Sequence, residues 1–418
     1  MYSKRWLLSL LALMGTMGTA MADDVVLGLN YPETGPYAVQ GLDEVRAADL
    51  AVEEINAAGG ILGKQVKLAK RDSQSKPDVA SANVAELIDK EGAAMLFGGA
   101  SSAVAIAAGK VARSKDKIYF GTLTYSNETT GANGHKYMFR ECSNSWMSAK
   151  VLSKYLNEHF AGKKYFYVTA NYTWGLTTEA SIRKFSNTQD TAAHKNTLTP
   201  FPGATAADFN KALTLAKANN PDVLVLVLFG NDMAEALKSA TAMGLKKTMA
   251  IVVPNLTLGM AESAGPKIME DVVGTTPWEW RIPYQYGYEK GKQFVEHFAA
   301  KYGSYPSTSA ASAYTIPFEY KAAVERAKSF DSKAVIAALE GHKYTLLKDE
   351  QEWRAFDHQS VQTIYAVQCK KQAEVLKDKY HQDYFEVINV LSGTEAAHTH
   401  DEWEAERKAA NAAPELEF

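Results

Sequence analysis

LGLNYPETGPYAVQGLDEVRAADLAVEEINAAGGILGKQVKLAKRDS, residues 27–73, reads as strand, loop, helix, glycine turn and strand. Residues 25–30 form a short apolar run with β-branched members, and Thr34-Gly35-Pro36 is turn chemistry. From Asp43 onward Val45, Ala48, Leu50, Ala51 and Ile55 recur at helical spacing on a charged background. Gly59-Gly60 and Gly63 stop that helix, and residues 66–69 begin a second strand. This is a βαβ opening, and the loop after its first strand lies where open α/β sheets bind ligands.

The alternation continues to about residue 345. Strand-like runs fall at residues 94–97, 118–121, 165–170, 223–229, 249–253 and 272–276, and helical patterns at 79–90, 103–114, 147–159, 177–187, 206–218 and 233–243. Such order predicts an α/β protein with parallel sheets wrapped by helices. DVLVLVLF, residues 222–229, has the unbroken apolar character of a strand buried on both faces.

Lys4 and Arg5, an apolar core over residues 6–14 and Ala20-Met21-Ala22 predict a cleaved signal peptide over residues 1–22, and hence an exported, periplasmic chain. A transmembrane anchor is the alternative, but the apolar core is short and Asp23-Asp24 follows it. About 396 residues would remain, which suggests two lobes. The net charge of −3 is mild, with no basic stripe for nucleic acid, and the mature chain is expected to be soluble and monomeric. Cys142 and Cys369 are the only cysteines; in an oxidising compartment they would be free to pair, although sequence does not give their distance.

The opening segment resembles the periplasmic solute-binding proteins of the leucine/isoleucine/valine-binding family. Their pattern is a T/S-G-x-x-A-x-x-G loop and then a helix ending in E-I-N-x-x-G-G-I-x-G. It is met here by Thr34, Gly35, Ala38, Gly41, Glu54, Ile55, Asn56, Gly59, Gly60, Ile61 and Gly63. The resemblance implies a type I periplasmic binding fold: two Rossmann-like lobes with parallel-rich sheets, joined by three hinge crossings near residues 140–144, 275–280 and 356–362. Lobe 1 would hold residues 23–142 with 276–345, and lobe 2 residues 143–275 with 346–392. A charged tail over residues 393–418 would form a surface helix or a frayed end. The cysteine pair that many members carry in lobe 1 is missing, with Ser73 and Ser101 at such positions.

The same resemblance supplies site expectations. Residues 94–97 run into Gly98-Gly99-Ala100-Ser101-Ser102 and a helix, where free amides and a serine hydroxyl suit a carboxylate; a plain helix cap is the alternative. Ser102 aligns with the family's carboxylate-binding serine, with Ser101 beside it. Leu123, Thr124 and Tyr125 occupy the next cleft loop, and Trp174 matches the aromatic residue that closes over the ligand from lobe 2. Phe229 or Gly230 falls at a second aromatic position, with ordinary core packing the alternative for Phe229. Asn255 stands where amino-acid binders place a carboxylate for the ammonium, and it cannot neutralise a charge. Asp232 is a candidate substitute or merely a helix cap. Gln40 replaces an apolar aromatic wall. Trp278 and Trp280 either rim the cleft or pack the hinge, Arg140 matches a family arginine near the first crossing and is expected to make a structural ion pair, and Asp357-His358-Gln359 is expected to position hinge backbone.

No enzyme signature is present: GGASS lacks the spacing of a nucleophile elbow, and there is no P-loop. His398, His400 and Asp401 have ligand-like spacing, but an alanine-rich tail is a poor rigid scaffold for a metal. The expected function is capture of a small polar solute, an amino acid or small carboxylate, for an ABC importer permease, with no cofactor. An amide, urea-like or aromatic-acid ligand is the runner-up, and a periplasmic sensor feeding a membrane receptor is the alternative class.

Overall fold

The computed structural model describes residues 24–418; the expected signal peptide lies outside the described residues. The first sheet is wholly parallel, with strands β1 (Val25–Tyr31), β2 (Val66–Asp72), β3 (Met95–Gly98), β4 (Tyr119–Gly121) and β5 (Met138–Arg140) in the order β2-β1-β3-β4-β5. The second sheet contains β6 (Tyr165–Ala170), β7 (Lys195–Thr199), β8 (Val223–Val227), β9 (Ala250–Val253) and β10 (Val273–Thr276). A small antiparallel sheet of β11 (Lys343–Tyr344), β12 (Gln351–Trp353) and β13 (Ser360–Val361) follows. The antiparallel strands β14 (Ile364–Cys369) and β15 (Phe385–Leu391) then complete the second sheet, ordered β15-β14-β10-β9-β8-β6-β7.

The apolar run expected to be doubly buried is the central strand β8, buried at every residue. It ends at Val227, so Phe229 leaves the strand and becomes the cap residue of helix Gly230–Ala242, with Asp232 in that helix's first turn. The edge strands behave otherwise. β7 is mostly exposed, with Lys195 and Asn196 outward, which is why no apolar run announces it.

Each sheet has its own core. The first gathers Leu27, Phe97, Phe120 and Phe139 with helices Glu289–Tyr302, Thr308–Ala327 and Ser332–Leu339. Leu347 and Trp353, expected in lobe 2, also pack there, because the small sheet lies against this core. The second core is built on β6, β8 and β9.

Three crossings join the lobes, and buried polar groups hold them together. Arg140 makes no ion pair among the described residues, contrary to expectation, because neutral acceptors surround it: it donates from Nε to Gln359 Oε1 (2.7 Å) and from its guanidinium to the carbonyls of Thr124 and Ser126. Gln359 and Gln362 in turn donate to the carbonyls of Cys142 and Glu141. Lys348, almost wholly buried, donates to Pro277 O (2.7 Å), Gln362 Oε1 and Thr363 O, so one ammonium ties the second crossing to the third. Burial lowers its pKa to about 8. His358 stacks on Phe139 at 3.9 Å and meets Glu340, while Arg354 pairs with Asp357. Trp278 packs on Phe294, and Trp280 stacks on Tyr305 at 3.8 Å; both serve the hinge rather than the cleft rim.

Two alternatives that the sequence leaves open are decided by the structure. Cys142 and Cys369 are both free and buried. Cys142 sits at the first crossing, whereas β14 begins beside the third crossing and carries Cys369 at its far end. Five extended residues separate that end from the hinge by about 17 Å, well beyond what a disulfide spans. The C-terminal segment is not frayed either. Helix His400–Ala409 docks through buried Trp403 and Arg407.

Candidate functional site

The loops after β1, β3 and β4 in the first sheet meet the loops after β6, β8 and β9 in the second. Carboxyl ends of parallel strands leave their loops free of pairing, so both lobes present variable side chains at the same place. At the end of β3, Gly98 adopts a φ of +123° and lies on Asn30 O, where a Cβ would collide. That turn delivers Ala100, Ser101 and helix Ser102–Ser114 to the cleft.

Neither serine caps the helix. Ser102 Oγ accepts the Ser126 amide at 2.9 Å and so holds the neighbouring loop. Ser101 Oγ is buried without a hydrogen-bond partner. Of the two serines, Ser101 is the one whose hydroxyl has no partner, and the Tyr125 hydroxyl in the next loop is likewise buried without one. Thr124 is also committed, with its hydroxyl 2.6 Å from Thr129 Oγ1. Leu123 and Tyr125 are buried and face the second lobe, joining Tyr37 and Ala100 in continuous apolar contact with that lobe's core.

From the second lobe come Trp174 and Phe229. Their ring centroids lie 5.8 Å apart, and Phe229 is also 5.8 Å from Tyr125. Three further rings complete an aromatic cluster that the sequence did not reveal. Tyr37 stacks on Phe201 at 5.4 Å and stands edge-on to Phe229 at 5.3 Å, while Tyr172 stacks on Phe201 at 4.0 Å. The Tyr37 and Tyr172 hydroxyls are hydrogen-bonded across the lobes at 2.8 Å. Tyr172 was accessible in principle, two residues before Trp174; Tyr37 and Phe201 are joined only by folding.

Asn255 does not present its amide to the cleft. Its Oδ1 accepts the Trp174 indole N–H at 3.3 Å, and its Nδ2 donates to Ser148 Oγ at 2.9 Å. Gln40 donates from Nε2 to Thr257 Oγ1 at 3.3 Å, bridging the lobes, and its Oε1 is buried without a partner. Burial raises Asp232 to about 6. The Tyr37 hydroxyl is pushed well above its usual range by burial, then by Tyr172, with Asp232 adding to both.

The lobes are closed upon each other. Asn231 N donates to Pro36 O at 3.2 Å, Ser126 Oγ lies 2.7 Å from Thr173 Oγ1, and Asn127 Nδ2 donates to Ser181 Oγ. Gly230 and Gly259 permit the approach: a Cβ on Gly230 would lie 2.5 Å from the Tyr37 ring, and one on Gly259 would strike Val39. Two buried lobes with aromatic and serine groups between them can enclose a small molecule, and nothing in the cluster has the nucleophile–base geometry of a catalyst.

A family model described as periplasmic binding protein matches residues 24–374. The chain belongs to that family. Among this periplasmic binding protein's relatives, the Leu/Ile/Val-binding protein homolog 8 of Brucella abortus (strain 2308) is 28% identical over 306 residues, covering 71% of this chain and 74% of the relative. A crystal structure of a periplasmic binding protein from Burkholderia mallei superposes with a TM-score of 0.81 at 25% identity, covering 91% of this chain and 98% of the other. A branched-chain amino acid ABC transporter periplasmic ligand-binding protein from Burkholderia xenovorans LB400 gives 0.76 at 25% identity, with coverages of 91% and 98%. The family consists of solute-binding proteins, not enzymes. Among the described residues no helix is long and apolar enough to cross a membrane.

Proposed function

We propose that this periplasmic binding protein is the substrate-binding component of an ABC importer and that its ligand is a small aromatic carboxylate. The carrying observation is Ser101 Oγ, buried and unpartnered at the start of a helix, across the cleft from Trp174 and Phe229. A helix start offers unpaired amides and the positive end of its dipole to an anion. The rings of Tyr125, Trp174 and Phe229 offer faces and edges to a planar body. Asn255, spent on Trp174 and Ser148, leaves no counter-charge for an ammonium at that position. Closure about the three crossings would hide the ligand and create the surface that a permease reads.

One observation favours an amino acid instead. Asp232, at about 6, is mostly ionised at neutral pH and lies near the Tyr37–Tyr172 pair, where an ammonium could reach it. A thermal-shift screen of benzoate, hydroxybenzoates, benzamide and branched-chain amino acids separates the readings, because a ligand bound only by the folded state raises the midpoint. Benzoate-class acids should give the largest shift. The largest shift from leucine or isoleucine would overturn the aromatic assignment and favour Asp232; no shift from any carboxylate would overturn Ser101 as an anion site.

A further inference from the structure

Residues 393–418 lie beyond the span that the family model matches, and they do not belong to one lobe. Ala396 and Ala397 pack on Met147, Val151, Ile364 and Ala366, all of the second lobe. Gly393 sits so close to Gln362 that a Cβ there would meet its backbone. From Thr399 onward the partners change to the first lobe. Trp403 Nε1 donates to Thr130 O at 3.0 Å, Arg407 donates to Gly131 O, Lys136 N donates to Glu417 O at 2.8 Å, and Phe418 packs edge-on to Tyr137.

The transfer between lobes happens at His398. Its ring stacks on Trp146 of the second lobe at 4.1 Å, its Nε2 lies 3.2 Å from Glu406 of the tail helix, and its carbonyl accepts from Arg354. Ala397 and Thr399, on either side, are both extended, so the connection holds no slack. Beyond His398 the tail helix is separated from helix Thr173–Phe185 by a gap of ≈ 410 Å³, lined by Ala180, Lys184, Glu406 and Ala409. The helix thus rides with the first lobe, and one taut residue links it to the second.

We propose that residues 393–418 form a fourth tie between the lobes, anchored on both, which limits how far the cleft opens. The three other crossings are short internal stretches of the chain, whereas this one is held at its far end by non-covalent docking alone. Slackening it should therefore change the hinge without changing either core.

Spin labels at Lys67→Cys in the first lobe and Lys211→Cys in the second, both exposed, read the inter-lobe distance by pulsed electron resonance on the ligand-free protein. Two variants are compared with the parent: deletion of residues 399–418, and insertion of Gly-Ser-Gly-Ser between His398 and Thr399. The insertion keeps both anchors and the Thr399–Glu402 capping box, so it folds even where the deletion does not. The expected result is a distance distribution that broadens and moves to longer values in the insertion variant, and further in the deletion. A distribution in the insertion variant matching the parent overturns the tie, whatever the deletion does.

Discussion

Asn255 Oδ1 receives the Trp174 indole N–H while Asn255 Nδ2 reaches Ser148, so the asparagine fixes the ring that covers the cleft rather than reaching a ligand itself. Asn255→Ala would leave the indole N–H buried without a partner and the Ser148 hydroxyl with only Ser143 Oγ at 3.4 Å, a cost of about 1–3 kcal/mol. Asn255→Asp keeps an acceptor for both and adds a negative charge beside the cleft. We expect the alanine variant to lower the unfolding midpoint. The aspartate variant should weaken benzoate at least about tenfold, a change worth about 1.4 kcal/mol, while gaining affinity for leucine. Calorimetric titration of both ligands into each variant checks this; parallel losses for the two ligands would show that charge at this position is irrelevant.

Gly230 is the point at which the second lobe receives the Pro36-Tyr37 turn. Its φ is +60°, and a methyl would lie 2.5 Å from the Tyr37 ring and 2.6 Å from Pro36 O. Gly244 supplies a control in the same lobe, because its φ is +73° and nothing lies within 4 Å of a Cβ there. Alanine carries a comparable left-handed penalty of about 1 kcal/mol at either site, but only Gly230→Ala obstructs closure. Small-angle scattering should show Gly230→Ala more extended than the parent and Gly244→Ala unchanged. Equal profiles for the two variants would mean that the turn adapts around the methyl.

How much of this was legible in the sequence depends on whether the deciding contact is local. β6 is bounded as its apolar run predicts, and Trp174 is placed by its position just past that strand. Ser101 and Ser102 are adjacent and chemically identical; only the direction of each hydroxyl, set by the turn at Gly98, decides which one is free. Tyr37 and Phe201 lie far apart in the chain and meet only when the lobes close, so no periodicity marks them. The docked tail did leave a signal. Trp403 and Arg407 are four residues apart on one helical face, and a surface helix seldom devotes a tryptophan to water.

The two cysteines should behave as buried thiols. Burial raises both well above the usual thiol range, so little thiolate is present and neither sulfur meets solvent. A colorimetric thiol reagent should label the native protein negligibly and find two thiols per chain in guanidinium chloride, with a melting midpoint indifferent to reductant. A single thiol or none in denaturant, restored to two by reductant, would establish a bridge.

Glu44 is fully buried in the first lobe; one oxygen accepts from Thr122 Oγ1 and the other has no partner. Burial raises its pKa from 4.5 to about 8, opposed by the Thr122 hydrogen bond, with Asp43 adding to the rise. The folded state therefore keeps a proton that the unfolded chain releases above about 4.5. Stability is highest below that pH, falls as pH rises towards about 8, and is level above it, because the proton-binding excess lies with the native state throughout that window. Glu279 and Glu319, each raised by burial to about 7, slope the same way, so the parent curve alone does not isolate Glu44. Glu44→Gln does. It keeps the acceptor for Thr122, places an amide where no acceptor waits at a cost of about 1 kcal/mol, and removes the ionisation. In urea unfolding the variant should be slightly less stable than the parent at pH 5 and more stable at pH 8.5. Curves that stay parallel across that interval would show that Glu44 ionises in the folded protein as easily as in the unfolded chain.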